Sequence, residues 1–228
     1  MKIKLKEKNG GIVMRKEGYL ILSKKACWQT ILYFLQTITG LFLASFLFVH
    51  FLGVSTIWGG SGWFDWYTAH LDKNNFFIKA AVFLIFGIFL AHAVNGFRIS
   101  WSYFLKTPKV HKYLIDTNYR GSWLWYIHFL SGICVFVLGI VHLYIACWGH
   151  NVTTAAMVAE HLRNSFYFGS LIALLIFAFI HSLCGIKSIL TKYGILFGKR
   201  GIVNFILIAI GANVLSFGIL NIFLLLWA

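Results

Sequence analysis

"QTITGLFLASFLFVH", residues 36–50, runs for fifteen positions without a charged side chain and closes on a histidine. From Leu41 onward apolar residues point to every side of a helix drawn through it, a pattern that suits hydrocarbon rather than a half-solvated surface. Crossing a hydrocarbon layer about 30 Å thick takes roughly 20 mainly apolar residues, and the quoted stretch sits inside such a run, residues 29–57. Four more follow at 76–104, 121–148, 164–191 and 202–227. The predicted fold class is therefore all-α: an integral membrane bundle of five transmembrane helices.

Composition leads to the same place. Of 228 residues 60% are hydrophobic and 11% charged, with a single proline and a mean hydropathy of +0.80, which excludes an ordinary water-soluble domain. The chain divides into a basic N-terminal arm, residues 1–25, and a membrane domain, residues 26–228. The arm's lysines are scattered and no short apolar run in it ends at a small-residue cleavage site, so it does not read as a signal peptide.

The charges give an orientation. Seventeen of the 20 Lys and Arg residues lie in the arm, in the second connection (Arg98 to Arg120) and in the fourth (Lys187 to Arg200); only Lys73, Lys79 and Arg163 fall near the first and third. By the positive-inside rule the N-terminus is cytoplasmic and the C-terminus external. The net charge of +14 then faces anionic lipid headgroups of the bilayer or an acidic partner subunit. The cations stand where topology demands them, so they give no reason to invoke nucleic acid.

Polar rings inside hydrocarbon need partners, and an intramembrane ionisable side chain is a functional candidate. Of nine histidines, His70, His111, His150 and His161 lie in or beside connections. The first four spans hold His50, His92, His142 and His181, one each, and His128 stands about two turns into the third. Counted from the cytoplasmic ends, His50 and His142 share one depth, and His92 and His181 share another, about 14 Å away at about 1.5 Å rise per residue. Each level thus offers two imidazoles from two helices, the arrangement that would ligate two stacked haems. A proton relay would be interleaved with carboxylates, and none of the six acids lies in a span core. The four cysteines form no CxxCH, so any haem is held without covalent attachment.

The second quoted stretch, "HFLSGICVFVLGIVH" (residues 128–142), repeats the first in placing a glycine ten residues before the histidine. Gly40 and Gly132 fall at the inner level, where a missing side chain allows close approach. "HAVNGFR" (92–98) and "HSLCGIK" (181–187) each follow a histidine with a cation six positions on, Arg98 and Lys187. These two either meet haem propionates or snorkel to the headgroups. Arg163, beside the third connection, completes the candidate cofactor-binding cations.

Taken together, "LQTITGLFLASFLFVHFLGVST", "FLAHAVNGFR", "LGIVHLYI" and "HSLCGIKSILTKYG" resemble the dihaem cytochrome b subunit of succinate:quinone oxidoreductases, above all the menaquinol:fumarate reductase type. The resemblance covers the chain from Trp28 onward. It implies two haem b groups, His50 with His142 ligating the outer and His92 with His181 the inner, and it sets Gln36, Thr37, Trp125 and Lys192 around the inner propionates. It implies menaquinone as substrate, flavoprotein and iron–sulfur subunits as partners, and a multi-pass place in the cell's inner membrane. Family members use a carboxylate in the first external connection at the quinone site, and Asp72 holds the matching position as candidate catalytic residue. One departure stands out. Relatives carry a membrane-embedded glutamate two residues before the fourth ligand, where this chain has Phe179, which cannot relay a proton; His128 is the nearby titratable substitute.

Two rivals remain open at this stage. A dihaem cytochrome b of a membrane hydrogenase or formate dehydrogenase shares the histidine logic. A haem-handling protein is suggested by "WGGSGWFDW" (residues 58–66), whose tryptophans and Asp65 resemble a tryptophan-rich motif of cytochrome c assembly proteins.

Overall fold

A computed structural model describes residues 13–14, 20–21, 24–71, 75–106, 112, 120–147, 153–194 and 200–228. Five long helices carry the architecture: α1 (Lys24–Val54), α3 (Phe76–Lys106), α4 (Arg120–Cys147), α6 (Ser165–Lys192) and α7 (Arg200–Leu226). Each contains a segment long and apolar enough to cross a bilayer. Helix is the form such runs must take, because hydrocarbon offers no partner to a backbone N–H or C=O left outside a helix or closed barrel. The spans expected from the sequence are found with ends shifted by a few residues; the first, for instance, runs Trp28–Gly59. Among the described residues the only strands are a two-residue antiparallel pair in the arm, Val13–Met14 with Leu20–Ile21.

Two short helices were not anticipated: α2 (Ser61–Ala69) and α5 (Ala155–Leu162). After α1 the chain tightens into a 3₁₀ turn at Ser55–Gly59 and reverses at Gly60, whose φ of 95° is a backbone state that glycine adopts without a Cβ penalty. Capping side chains start the two helices that meet this turn from the third connection. Thr154 accepts from Met157 N–H at the head of α5, and Asn164 Oδ1 accepts from Phe166 and Tyr167 N–H at the head of α6, satisfying donors that a first turn leaves unpaired.

The core lies at one end of the bundle, the end away from the arm. Ile57, Phe64, Ala155, Leu162, Ile222 and Leu225 pack together there, and Asn221 of α7, only 1% exposed, holds the 3₁₀ turn. Its Oδ1 accepts from Trp58 Nε1 at 2.6 Å and its Nδ2 donates to Ser55 Oγ at 2.9 Å. Asp65 Oδ1 accepts from Ala155 N–H at 2.7 Å, which joins α2 to α5 across this far end.

Toward the arm the packing changes character. The helices associate chiefly as two pairs, α1 with α3 and α4 with α6, with α7 laid on α6. Between the pairs lies a cavity of about 1780 Å³, lined from every long helix. Large apolar side chains such as Phe76, Phe77, Phe83, Phe205 and Ile208 stand outward, as they must on a surface that lipid covers.

Candidate functional site

All four span histidines line that cavity. His50 of α1 meets His142 of α4 with ring centres 6.1 Å apart and planes crossed at 71°. His92 of α3 meets His181 of α6 at 6.2 Å and 89°. The pairing expected from depth alone is the pairing found. Each couple also takes one ring from the α1–α3 pair and one from the α4–α6 pair, so both bridge the cavity.

The separations suit a metal. Two metal–imidazole bonds of about 2 Å each, with the half-width of each ring added, span about 6 Å, close to the values found. The cavity exceeds the roughly 300–1,000 Å³ of an ordinary small-ligand pocket, leaving room for more than one large planar group. A further sign comes from His142, whose Nδ1 is buried with no hydrogen-bond partner. Buried polar atoms are nearly always satisfied, so a ring retained with an idle nitrogen in an apolar wall is there for something other than packing. The residues present fit haem b.

The basic-end couple is more heavily supported. Thr39 Oγ1 lies 3.0 Å from His92 Nδ1, and Gln36 Nε2 lies 3.3 Å from His92 Nε2. Gln36 Oε1 accepts from Asn95 Nδ2 at 2.9 Å, which also donates to Leu32 O, so the amide is held with its N–H side toward the histidine. Across the cavity, His181 Nδ1 donates to His128 O at 3.0 Å, and Ser131 Oγ donates to the same carbonyl. Far-end His50 stacks on Phe46, one turn earlier in its own helix, with ring centres 5.8 Å apart.

Both glycines singled out in the sequence face these rings. A Cβ added at Gly40 would stand 3.1 Å from His92 Cε1, and one at Gly132 would stand 2.8 Å from His181 Cε1 and 3.1 Å from its Nδ1. What the glycines admit here is the imidazole of the neighbouring helix in the same pair, where the sequence suggested the edge of a porphyrin.

The remaining candidates separate into two groups. Gln36, Thr37, Trp125 and Lys192 line the cavity. Thr37 Oγ1 donates to Tyr33 O within its own helix, and Lys192 Nζ lies 5.3 Å from the centre of the Tyr33 ring, a cation held over an aromatic face. Arg98, Lys187 and Arg163 are not brought to the cavity wall; Arg98 and Arg163 are exposed, the placement of snorkelling side chains. Asp72 lies outside the described residues. Phe179 lines the cavity.

Two participants escaped the sequence reading. Thr39 looked like any threonine in "QTIT", and only the rotation of α1 against α3 turns it to His92. His128 was seen as a titratable residue, yet its backbone oxygen is what holds His181, and its ring lies 4.3 Å from the His181 ring. The "WGGSGWFDW" stretch resolves structurally: Phe64 is in the far-end core, Asp65 caps α5, and Trp58, Trp63 and Trp66 are exposed, as an interfacial aromatic belt requires.

Comparison with known proteins gives a family. The family model described as succinate dehydrogenase/fumarate reductase transmembrane subunit matches residues 106–220. A curated relative, the fumarate reductase cytochrome b subunit of Wolinella succinogenes, is 27% identical over 196 residues, covering 82% of this chain and 75% of the relative.

Proposed function

Since this chain belongs to the family of succinate dehydrogenase/fumarate reductase transmembrane subunits, we propose that it anchors the flavoprotein and iron–sulfur subunits of such a complex and links them electrically to menaquinone through two b haems. The observation that carries the reading is the pair of histidine couples, each drawn across the cavity from opposite helix pairs at a separation that fits one iron. Bound there, haem supplies reversible one-electron chemistry whose potential depends on axial ligands, neighbouring hydrogen bonds and burial.

The chain's own residues then have distinct tasks. His92 and His181 hold the group nearest the basic end, and His50 with His142 the group nearest the far end. Gln36, Trp125 and Lys192, on the cavity wall toward the basic end, orient the first group by hydrogen bonds and charge. Gly40 and Gly132 keep space for its ligands. With the basic end in the cytoplasm, that group lies next to the iron–sulfur partner, and the inner membrane is the location. At the opposite surface Asp72 is the candidate to accept a quinol proton, a carboxylate acting as general base. The family assignment sets the hydrogenase and formate dehydrogenase alternatives aside. The capping and packing roles of the tryptophan-rich stretch leave no need for a haem-handling reading.

A redox titration of the purified complex, reading low-spin haem spectra and haem per chain, tests the proposal. Two bis-histidine centres are expected, and His142→Ala should delete one of them, the far-end centre. A colourless complex, or a His142→Ala variant retaining both Soret-absorbing centres, would falsify the reading.

A further inference from the structure

An imidazole carries its proton on one nitrogen and binds metal through the other, so whatever fixes the proton fixes the ligand atom. For His181 the choice is forced. Its Nδ1 faces the His128 carbonyl, which can only accept, so Nδ1 bears the hydrogen and Nε2 keeps the lone pair. For His92 the same result follows through one more bond. The Thr39 hydroxyl has a single hydrogen, and that hydrogen is directed to Leu35 O at 2.7 Å, one turn back along α1. Toward His92 Nδ1, 3.0 Å away, the oxygen is therefore an acceptor.

We propose that Thr39 is a positioning residue for the basic-end haem, accepting the Nδ1–H of His92 so that Nε2, toward which the Gln36 amide N–H points at 3.3 Å, keeps its lone pair and is made a stronger iron ligand. The inference rests on the dihaem reading above and deepens it. A metal-bound histidine almost always gives its second N–H to an acceptor that fixes its tautomer and raises its basicity, and Thr39 stands behind His92 in that role. The neighbouring position completes the device. Gly40 leaves the space into which the His92 ring fits, so consecutive residues of α1 supply the acceptor and the gap. The α4–α6 pair builds the same arrangement from Gly132 and the His128 carbonyl. Nature of the acceptor is the difference: a carbonyl survives any side-chain replacement, whereas a hydroxyl does not. Both basic-end ligands are thus fixed in the same tautomer without a charged group, in a setting where a buried charge would be costly.

Electron density pushed onto Nε2 favours ferric over ferrous iron, so removing the acceptor should raise the midpoint potential of the basic-end haem and loosen its hold. The test compares wild type, Thr39→Val and Thr39→Ser in the assembled complex. Three readouts apply: the midpoint of each haem by spectroelectrochemistry, the ferric low-spin EPR signals, and the rate of haem transfer to apomyoglobin. Thr39→Val, close in volume but with no acceptor, should raise the basic-end midpoint, shift its EPR signal and speed its haem loss by about 10-fold. Thr39→Ser should return all three to the wild-type values, and the far-end centre should not move in either variant. Identical midpoints and EPR signals in wild type and Thr39→Val overturn the proposal, as does a Thr39→Ser variant that behaves like Thr39→Val, which would make the residue a packing element. If Thr39→Val does not assemble, Thr39→Ala carries the same comparison. Wild-type complex lacking a haem at this level sinks the underlying reading instead, and that is seen before any variant is made.

Discussion

The far end of the bundle and its middle are built on opposite principles. At the far end the protein closes on itself: Ile57, Phe64, Leu162, Ile222 and Leu225 are at most 5% exposed, and Asn221, Trp58, Ser55, Asp65 and Ala155 exchange hydrogen bonds. In the middle the two helix pairs stand apart around about 1780 Å³ of space. Protein interiors are ordinarily packed to the density of organic crystals, so a cavity of that size, with two histidine couples facing across it, marks the place where something else supplies the cohesion. Ligand that binds only the folded form adds its binding energy to stability. The molecule is held together by its own side chains at one end and, on the reading above, by metal bonds across the other.

That contrast is broken most severely by crossing the two kinds of mutation. His181→Ala should remove the basic-end centre outright and leave one haem per chain by pyridine haemochrome assay. Leu162→Ala, in the far-end core and off the cavity wall, should do the reverse: a loss of about 2–5 kcal/mol in stability, read as a lower thermal midpoint, with both haem spectra and the haem count unchanged. If Leu162→Ala shed haem as readily as His181→Ala, the two regions would not be separate and the division would fail.

A finer probe lies in the two glycines. An added methyl at Gly132 would come within 2.8 Å of a ring already tied to His128 O, whereas at Gly40 the nearest approach is 3.1 Å. Overpacking of this kind costs about 1–3 kcal/mol. Gly132→Ala should therefore disturb the basic-end EPR signal more than Gly40→Ala, and neither should affect the far-end signal. Equal responses from the two variants would show that the rings yield freely and that the glycines do not set their positions.

What could be read in the sequence follows from the range of each interaction. Hydrocarbon imposes its demand on every residue of a span, so five apolar runs were enough to place α1, α3, α4, α6 and α7, and rise per residue alone matched His50 with His142 and His92 with His181. Rotation about each helix axis has no such signature. It decides that Thr39 reaches His92 while Thr37 bonds back to Tyr33 O, and that Arg98 and Lys187 leave the cavity wall to Lys192. The short helices α2 and α5 were illegible for another reason. Nine and eight residues long, they are stabilised by contacts with each other and with α7, and no run of composition announces a contact.

The smallest expected effect sharpens that last point. Asp65 accepts from the N–H of Ala155, a residue with no exposed surface, so it acts as a cap on α5 delivered from α2. Asp65→Ala leaves that N–H without its partner at a cost of about 1 kcal/mol, the usual loss for a helix cap. Asp65→Asn keeps an oxygen in place and should lose less. For a chain of this size about 1 kcal/mol corresponds to roughly 2–4 °C in thermal midpoint, a shift that a thermal melt followed by tryptophan fluorescence resolves. Both haems should remain at full occupancy in either variant. Were Asp65→Ala instead to strip or exchange haem while leaving the melting curve in place, the tryptophan-rich stretch would have to be handling the cofactor, and the far end would no longer be the part of the molecule that only holds the rest together.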